Sequence, residues 1–185
     1  MKLTILRGVP ASGKSTYAKQ FLIDNPDTVR VNMDSLRLMF RNETYDRKFE
    51  KLVKKSEIQV LEQCIRLGFD VIVDDTNLTL KRIDSLINFV NVISCGNAEI
   101  EVITMNTHKD DCYNRNEHRK NRVPVNCMTD MFELFEKHYL SVDLLLKARG
   151  IKHTNINNNL MSEELIDELR EEADSISELL ECEQL

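Results

Sequence analysis

The chain has 185 residues, 42% of them hydrophobic and 30% charged, with a formal net charge of −6. Those proportions suit a water-soluble globular protein with one main domain and a full hydrophobic core. No run approaches the ~20 apolar residues that cross a membrane, and the N-terminus enters a strand pattern rather than a signal peptide, so a cytoplasmic protein with no membrane partner is expected.

Leu3–Leu6 is a short apolar run and predicts a buried strand. It leads into Gly8-Val-Pro-Ala-Ser-Gly13-Lys14-Ser15, the G-x-x-x-x-G-K-[ST] pattern of a P-loop, and a helix is predicted over Ser15–Ile23. Val29–Val31 reads as a second strand, ending at Asn32-Met-Asp34, with Asp34 or Ser35 as the expected cap of a helix starting near Leu36. Apolar positions at Leu52, Val53, Ile58, Val60, Leu61 and Ile65 predict a long helix over Glu50–Leu67, stopped by Gly68. Phe69–Val73 reads as a buried parallel strand with Asp74-Asp75 at its carboxyl end. A helix over Leu80–Val92, a strand over Glu99–Met105 and helices over Asp110–His118 and Thr129–Ala148 follow. The asparagine-rich stretch Ile151–Asn159 reads as a linker, and Ser162–Leu180 as a final helix. Strands alternating with helices predict an α/β fold: a parallel β-sheet flanked by helices, a helical lid near residues 110–126 and a C-terminal helical extension. One P-loop domain is expected over residues 1–150, with linker and acidic helix over 151–185.

Charge is unevenly distributed. Residues 160–185 hold ten acidic residues and one basic one, leaving 24 basic and 21 acidic residues, or +3, for the body. Overall acidity therefore does not exclude a nucleic-acid substrate, and +3 is too small to argue for one. Ile166, Leu169, Ala173, Ile176 and Leu180 form a short heptad stripe that packs on the body or joins copies in a homo-oligomer. The five scattered cysteines contain no C-x-x-C pair, and the four histidines show no ligand spacing, so reduced structural thiols and no zinc site are expected.

The chemistry gathers at four places. In the loop, Gly8, Ala11, Ser12, Gly13, Lys14, Ser15 and Thr16 are the candidate ATP-binding residues. Their backbone N–H groups and the helix terminus attract phosphate, Lys14 reaches the outer phosphates, and the Ser15 hydroxyl suits Mg²⁺. Asp74 and Asp75 end a strand at the edge facing the nucleotide, where one can serve the metal and the other the acceptor. Asp34 and Arg37, one helical turn apart, offer an acid for a hydroxyl proton and a base for an anion on the acceptor. Arg115 and Arg119, four apart, offer two guanidinium groups on one helix face to the moving phosphate, and Pro124 beyond them suggests a hinge.

Together, Gly8-Val-Pro-Ala-Ser-Gly-Lys-Ser-Thr16, Val31-Asn-Met-Asp34-Ser-Leu-Arg37, Val73-Asp-Asp75-Thr-Asn-Leu78 and Arg115-Asn-Glu-His-Arg119 with Val123-Pro124 resemble the 5′-kinase domain of phage-type polynucleotide kinases. Those belong to the wider zeta-toxin-like group of P-loop kinases, and the resemblance covers roughly residues 1–150. It implies an ATP- and Mg²⁺-dependent phosphotransferase acting on a 5′-hydroxyl end of DNA or RNA, in the host cytoplasm if phage-encoded. It further implies that Asp34 is the general base, that Arg37 touches the acceptor's neighbouring phosphate and that Asp75 and Thr76 lie on the acceptor side. Ser15 and Asp74 would serve Mg²⁺, Lys14 the ATP phosphates, and Arg119, helped by Arg115, the transferring phosphate. No D-x-D-G-T motif follows, so the 3′-phosphatase of bifunctional end-healing enzymes is not expected. The alternatives are a kinase of a small metabolite or nucleoside, and an ATP-binding switch or partner-binding protein.

Overall fold

Short apolar stretches within Lys2–Arg7 and Asp70–Asp74, and the alternating Glu99–Asn106, become the inner strands, the first two because a strand covered on both faces needs hydrophobic side chains on both. The computed structural model describes residues 1–41 and 45–157. The chain runs β1 (Lys2–Arg7), α1 (Lys14–Asp24), β2 (Thr28–Val31), α2 (Met33–Arg41), α3 (Glu50–Arg66), β3 (Asp70–Asp74), α4 (Leu80–Ile93), β4 (Glu99–Asn106), α5 (Lys109–Glu117), α6 (Val125–Lys137), α7 (Tyr139–Ala148) and β5 (Lys152–Asn157). The expected acidic helix over Ser162–Leu180, and any contact it makes between copies, lies outside the described residues. No helix among the described residues is long and apolar enough to cross a membrane.

All strand pairs are parallel, in the order β2-β3-β1-β4-β5. Leu3 and Ile5 point to one face, where α3, α4 and α7 cover them with Leu61, Ile83, Ile87, Val142 and Leu146. Leu6, Ile72 and Ile103 point to the other, where α1 brings Ala18, Tyr17 and Phe21. The chain leaves β1 for β2, returns to β3 beside β1, then passes to β4 on the other side. The order thus reverses around β1, and its carboxyl end is the crevice where open α/β sheets bind ligands.

Four expectations are corrected. Lys152–Asn157 is the edge strand β5, not linker: His153 Nε2 meets Thr104 Oγ1 at 2.9 Å, its Nδ1 meets Asp143 at 2.8 Å, and Tyr139 OH donates to Asn155 at 3.3 Å. Polar side chains hold it, so it carries no apolar periodicity. The expected helix Thr129–Ala148 is two helices meeting at His138, and the first begins at Val125, directly after Pro124. The break lets Phe135 and Tyr139 both face the guanidinium of Arg7, 4.3 and 5.5 Å from their ring centres. Arg7 is fully buried and donates to the carbonyls of Leu78 and Phe135; burial lowers its pKa to about 10. The cap of α2 is Asn32, whose Oδ1 accepts from Ser35 N and Oγ at 2.9 and 3.1 Å, rather than Asp34 or Ser35. Finally, α5 stops at Glu117, so Arg119 is not on its face.

The carboxyl end of β3 ties the neighbouring elements together. Asn32 Nδ2 donates to the Asp74 carbonyl, and Met33 N–H donates to Asp75 Oδ1 at 3.0 Å, fixing the start of α2. Asp75 is buried beside Glu57 of α3, which is fully buried and paired with Arg82 of α4. Asp75 Oδ2 and Glu57 Oε2 otherwise lack hydrogen-bond partners, and one proton between them satisfies both. Burial, reinforced by the Glu57 charge, pushes the Asp75 carboxyl up from 3.8 to about 8. Its folded pKa exceeds its unfolded one, so the native state retains a proton that the unfolded chain has lost between those values, and stability falls as pH rises through that window. Asp75→Asn should flatten this slope. Urea midpoints of both proteins at pH 5 and pH 8 check it, and the same pH dependence in both would mean that Asp75 is ionised in the native state.

Candidate active site

The loop after β1 needs glycine where it turns. Gly8 has φ +151°, and a Cβ there would lie 2.8 Å from Ser12 Oγ and 2.9 Å from the Met105 carbonyl. The loop is pinned on both sides: Gly8 N–H donates to the Thr76 carbonyl at 3.0 Å, and Thr107 Oγ1 to the Ser12 carbonyl at 2.8 Å. Gly13 takes the left-handed conformation (φ 98°) at the start of α1, and no side chain caps that helix. Its first-turn N–H groups, with the helix dipole behind them, remain for an anion.

Lys14 is 7% exposed, and its ammonium donates to the Val9 carbonyl at 2.6 Å and to Ser12 Oγ at 3.3 Å. Burial pushes its pKa down to about 8, and Asp74 opposes that most strongly. Asp75 and the Cys112 thiol add to the opposition, while the Arg119 charge reinforces the lowering. The loop lysine, the strand-end carboxylates and the lid arginine thus share one electrostatic neighbourhood. A desolvated cation of this kind gains from a phosphate partner. Ser15 and Thr16 are exposed at the first turn of α1, Ser12 is buried, and Ala11 (φ 63°) packs against the cluster of Val9, Leu78 and Phe132.

Asp74 is 1% exposed, with Oδ2 held by Arg30 Nε and Nη2 at 2.9 and 2.5 Å. Its Oδ1 is buried without a hydrogen-bond partner. A free carboxylate oxygen near a loop that offers a hydroxyl fits Mg²⁺, which favours few protein oxygens and takes its other ligands from phosphate and water. Among the described residues no group of three or more His, Cys, Asp or Glu encloses a metal position. Asp75 turns inward to Met33 N–H and Glu57, and Thr76 is half-buried.

On α2, Asp34 is exposed and its Oδ1 accepts from Arg37 Nη1 at 2.5 Å. Arg37 is held from the other side by Glu50, through Nε at 2.7 Å and Nη2 at 2.9 Å. These bonds keep Arg37 firmly protonated, with the Glu50 hydrogen bonds as the main cause. The predicted pair is therefore a triad whose third member is on the next helix.

The lid residues stand differently from expectation. Arg115 is exposed on α5, while Arg119 is exposed on the loop beyond it. Asn116 clips that loop, donating to the Val123 carbonyl at 2.8 Å and accepting Val123 N–H at 3.0 Å. Tyr113 stacks on Phe132 with ring centres 5.7 Å apart and shares a hydrogen bond with Thr129, so α5 and α6 pack as one piece. Sequence reasoning missed Arg30, Glu50, Glu57, Arg82 and Asn116. All but Asn116, which bonds Val123 seven residues on, work through a partner on another element, and a lone charged residue or asparagine gives no local sign of that.

Comparisons with known proteins agree with this geometry. A family model described as an AAA domain (AAA_33) matches residues 3–138. The chain is 27% identical over 138 residues to L-seryl-tRNA(Sec) kinase of Methanococcus maripaludis, covering 72% of this chain and 52% of that protein. It is 27% identical over 139 residues to a protein provisionally named bifunctional polynucleotide kinase/RNA ligase from Autographa californica nuclear polyhedrosis virus, covering 68% and 19%. The chain thus spans about half of one relative and a fifth of the other. Among solved structures, a chain of the Pnkp1/Rnl/Hen1 RNA repair complex superposes with a TM-score of 0.66 at 24% identity, covering 76% of this chain and 45% of that one. A gluconokinase from Sinorhizobium meliloti 1021 superposes with a TM-score of 0.53 at 14% identity, covering 98% and 97%. Both of these likenesses concern the fold. With a P-loop built around a desolvated lysine and a family match across most of the described chain, the protein belongs to the AAA_33 family of P-loop kinase domains.

Proposed function

We propose that the chain transfers the γ-phosphate of ATP to a 5′-hydroxyl end of DNA or RNA. The observation that carries this reading is the Asp34–Arg37–Glu50 triad, an acid and an anion-binding base on a helix that strand β3 ties to the donor loop. One relative supports it through its name, the viral protein named for a polynucleotide kinase, while the L-seryl-tRNA(Sec) kinase supports phosphoryl transfer more generally.

ATP phosphates would lie on the loop N–H groups with Lys14 against the outer ones, and Ser15 and Asp74 would hold Mg²⁺. Mg²⁺ held there would supply neutralisation of the phosphate charge. Arg119 meets the transferring phosphoryl from the lid, and Arg115 adds positive charge from α5. An acceptor phosphate that docks on Arg37 Nη1 draws that nitrogen away from Asp34. The freed carboxylate then takes the hydroxyl proton. As the acceptor O–P bond forms, the bond from the γ-phosphorus to the bridging oxygen breaks, ADP departs and the proton stays on Asp34. Glu50 keeps the Arg37 guanidinium in place throughout.

Transfer of radiolabelled γ-phosphate to a panel of 5′-hydroxyl oligonucleotides, nucleosides and sugars tests the reading directly. Labelling of the oligonucleotides is expected; labelling of nucleosides or sugars alone would replace it with a metabolite kinase, and ATP turnover that no acceptor stimulates would replace it with an ATP-driven switch. Asp34→Asn should cut kcat by about 100-fold or more while ATP affinity holds, as loss of a general base does. Transfer within tenfold of wild type would remove Asp34 from that role. Lys14→Ala should lower kcat/KM for ATP by about 100-fold or more, and unchanged ATP turnover would exclude the loop as donor site.

A further inference from the structure

The positive charge beside the triad exceeds what the triad needs. Arg47, Lys48, Lys51, Lys54 and Lys55 lie on the turn before α3 and on its first two turns, and all are exposed. The nearby acids that the structure describes are engaged elsewhere: Asp46 with Arg41, Glu50 with Arg37, and Glu57 with Arg82. None of these five cations has an ion pair among the described residues. At 100° per residue, Lys51, Lys54 and Lys55 fall in one sector about 100° wide.

This arrangement opposes the helix. Lysines in the first turns meet the positive end of the helix dipole, and Lys51 and Lys55 form a like-charged i,i+4 pair, which is destabilising. A face that serves only solubility has no need of charge at that end. The turn also carries aromatic rings among its cations. Tyr45 is 67% exposed, with its ring centre 5.9 Å from the Arg37 guanidinium. The Phe49 ring lies under both Arg41 and Lys48, at 4.8 and 5.8 Å. A crossover helix runs antiparallel to the strands it joins, so the start of α3 lies at the carboxyl edge of the sheet, as the P-loop does.

We infer that the start of α3 and the turn before it form a track for the acceptor strand beyond its first phosphate, with the lysines on successive phosphates and Tyr45 as a stacking platform for a base. This rests on the polynucleotide reading above and adds length dependence to it. Lys51 and Lys55 are about 6 Å apart along the helix, roughly two phosphate steps at the ~3.4 Å rise of a stacked strand. Lysines along a groove with an aromatic stacking surface are the elements of sequence-tolerant single-strand binding.

The test compares kcat/KM for a nucleoside 3′-monophosphate and for an eight-nucleotide 5′-hydroxyl strand, at 50 and 200 mM salt, in wild type and in the triple variant Lys51→Glu/Lys54→Glu/Lys55→Glu. In wild type the longer acceptor should be favoured, increasingly so as salt falls. In the variant the long-to-short ratio should drop by about tenfold or more, and the slope of log affinity for the strand against log salt should be shallower by about 2, at ~0.7 per phosphate contact. Tyr45→Ala should lower strand affinity without changing that slope, and this second variant keeps the test open if the triple one folds poorly. Phosphorylation of both acceptors with the same ratio and slope in all three proteins would overturn the track and leave the 5′-kinase reading standing. If no 5′-hydroxyl nucleic acid is phosphorylated and another acceptor is, both fall together.

Discussion

Two adjacent carboxylates at the end of β3 set the terms for everything around them. Asp74 and Asp75 are 1% and 8% exposed, and an unpaired buried charge costs several kcal/mol. Each must therefore recruit partners, and the partners come from different elements. Arg30 of β2 takes Asp74; the first N–H of α2 and Glu57 of α3 take Asp75; Arg82 of α4 takes Glu57 and also bonds Asn77 Oδ1 at 3.1 Å. Asn77 in turn donates to the Leu6 carbonyl at 2.7 Å, next to the P-loop strand's last residue. Desolvation at one strand end thus registers the P-loop, α2 and the helices behind them against each other.

The same desolvation acts on Lys14. Burial pushes its pKa down to about 8, and among the described residues its proton donors meet only the Val9 carbonyl and Ser12 Oγ, so the loop holds a cation at the cost of its hydration. Arg119 adds to the positive field from a loop that Asn116 clips shut. A desolvated cation such as Lys14 gains from an anionic partner.

The inner sheet was legible because β1 and β3 announce themselves as short apolar runs and β4 by its alternation of polar and apolar residues. The P-loop was legible because its glycines answer steric demands, as the 2.8 and 2.9 Å approaches at Gly8 make plain. The edge strand β5 was not, because His153, Asn155 and Asn157 hold it through side-chain hydrogen bonds rather than an apolar stripe. Asp34 and Arg37 could be picked out by spacing, but Glu50 could not, since it lies thirteen residues on and on the next helix. Asn32 did carry a usable sign: a cap residue three before Ser35 is the ordinary start of a helix, and its place at the end of a strand drew attention to Asp34 instead.

The net charge hides an internal separation that bears on how the acceptor side works. Arg37 is neutralised twice over, by Asp34 and Glu50, so it contributes little long-range attraction. Its value is geometric: a guanidinium held in one orientation recognises a phosphate at one place. The lysines at the start of α3 have the opposite character: exposed and, among the described residues, without an ion pair, they act at a distance. In the proposed reading one group of residues would serve position and the other capture. That division suits a flexible polyanionic strand whose end must be placed with ångström accuracy while its remaining length is held loosely.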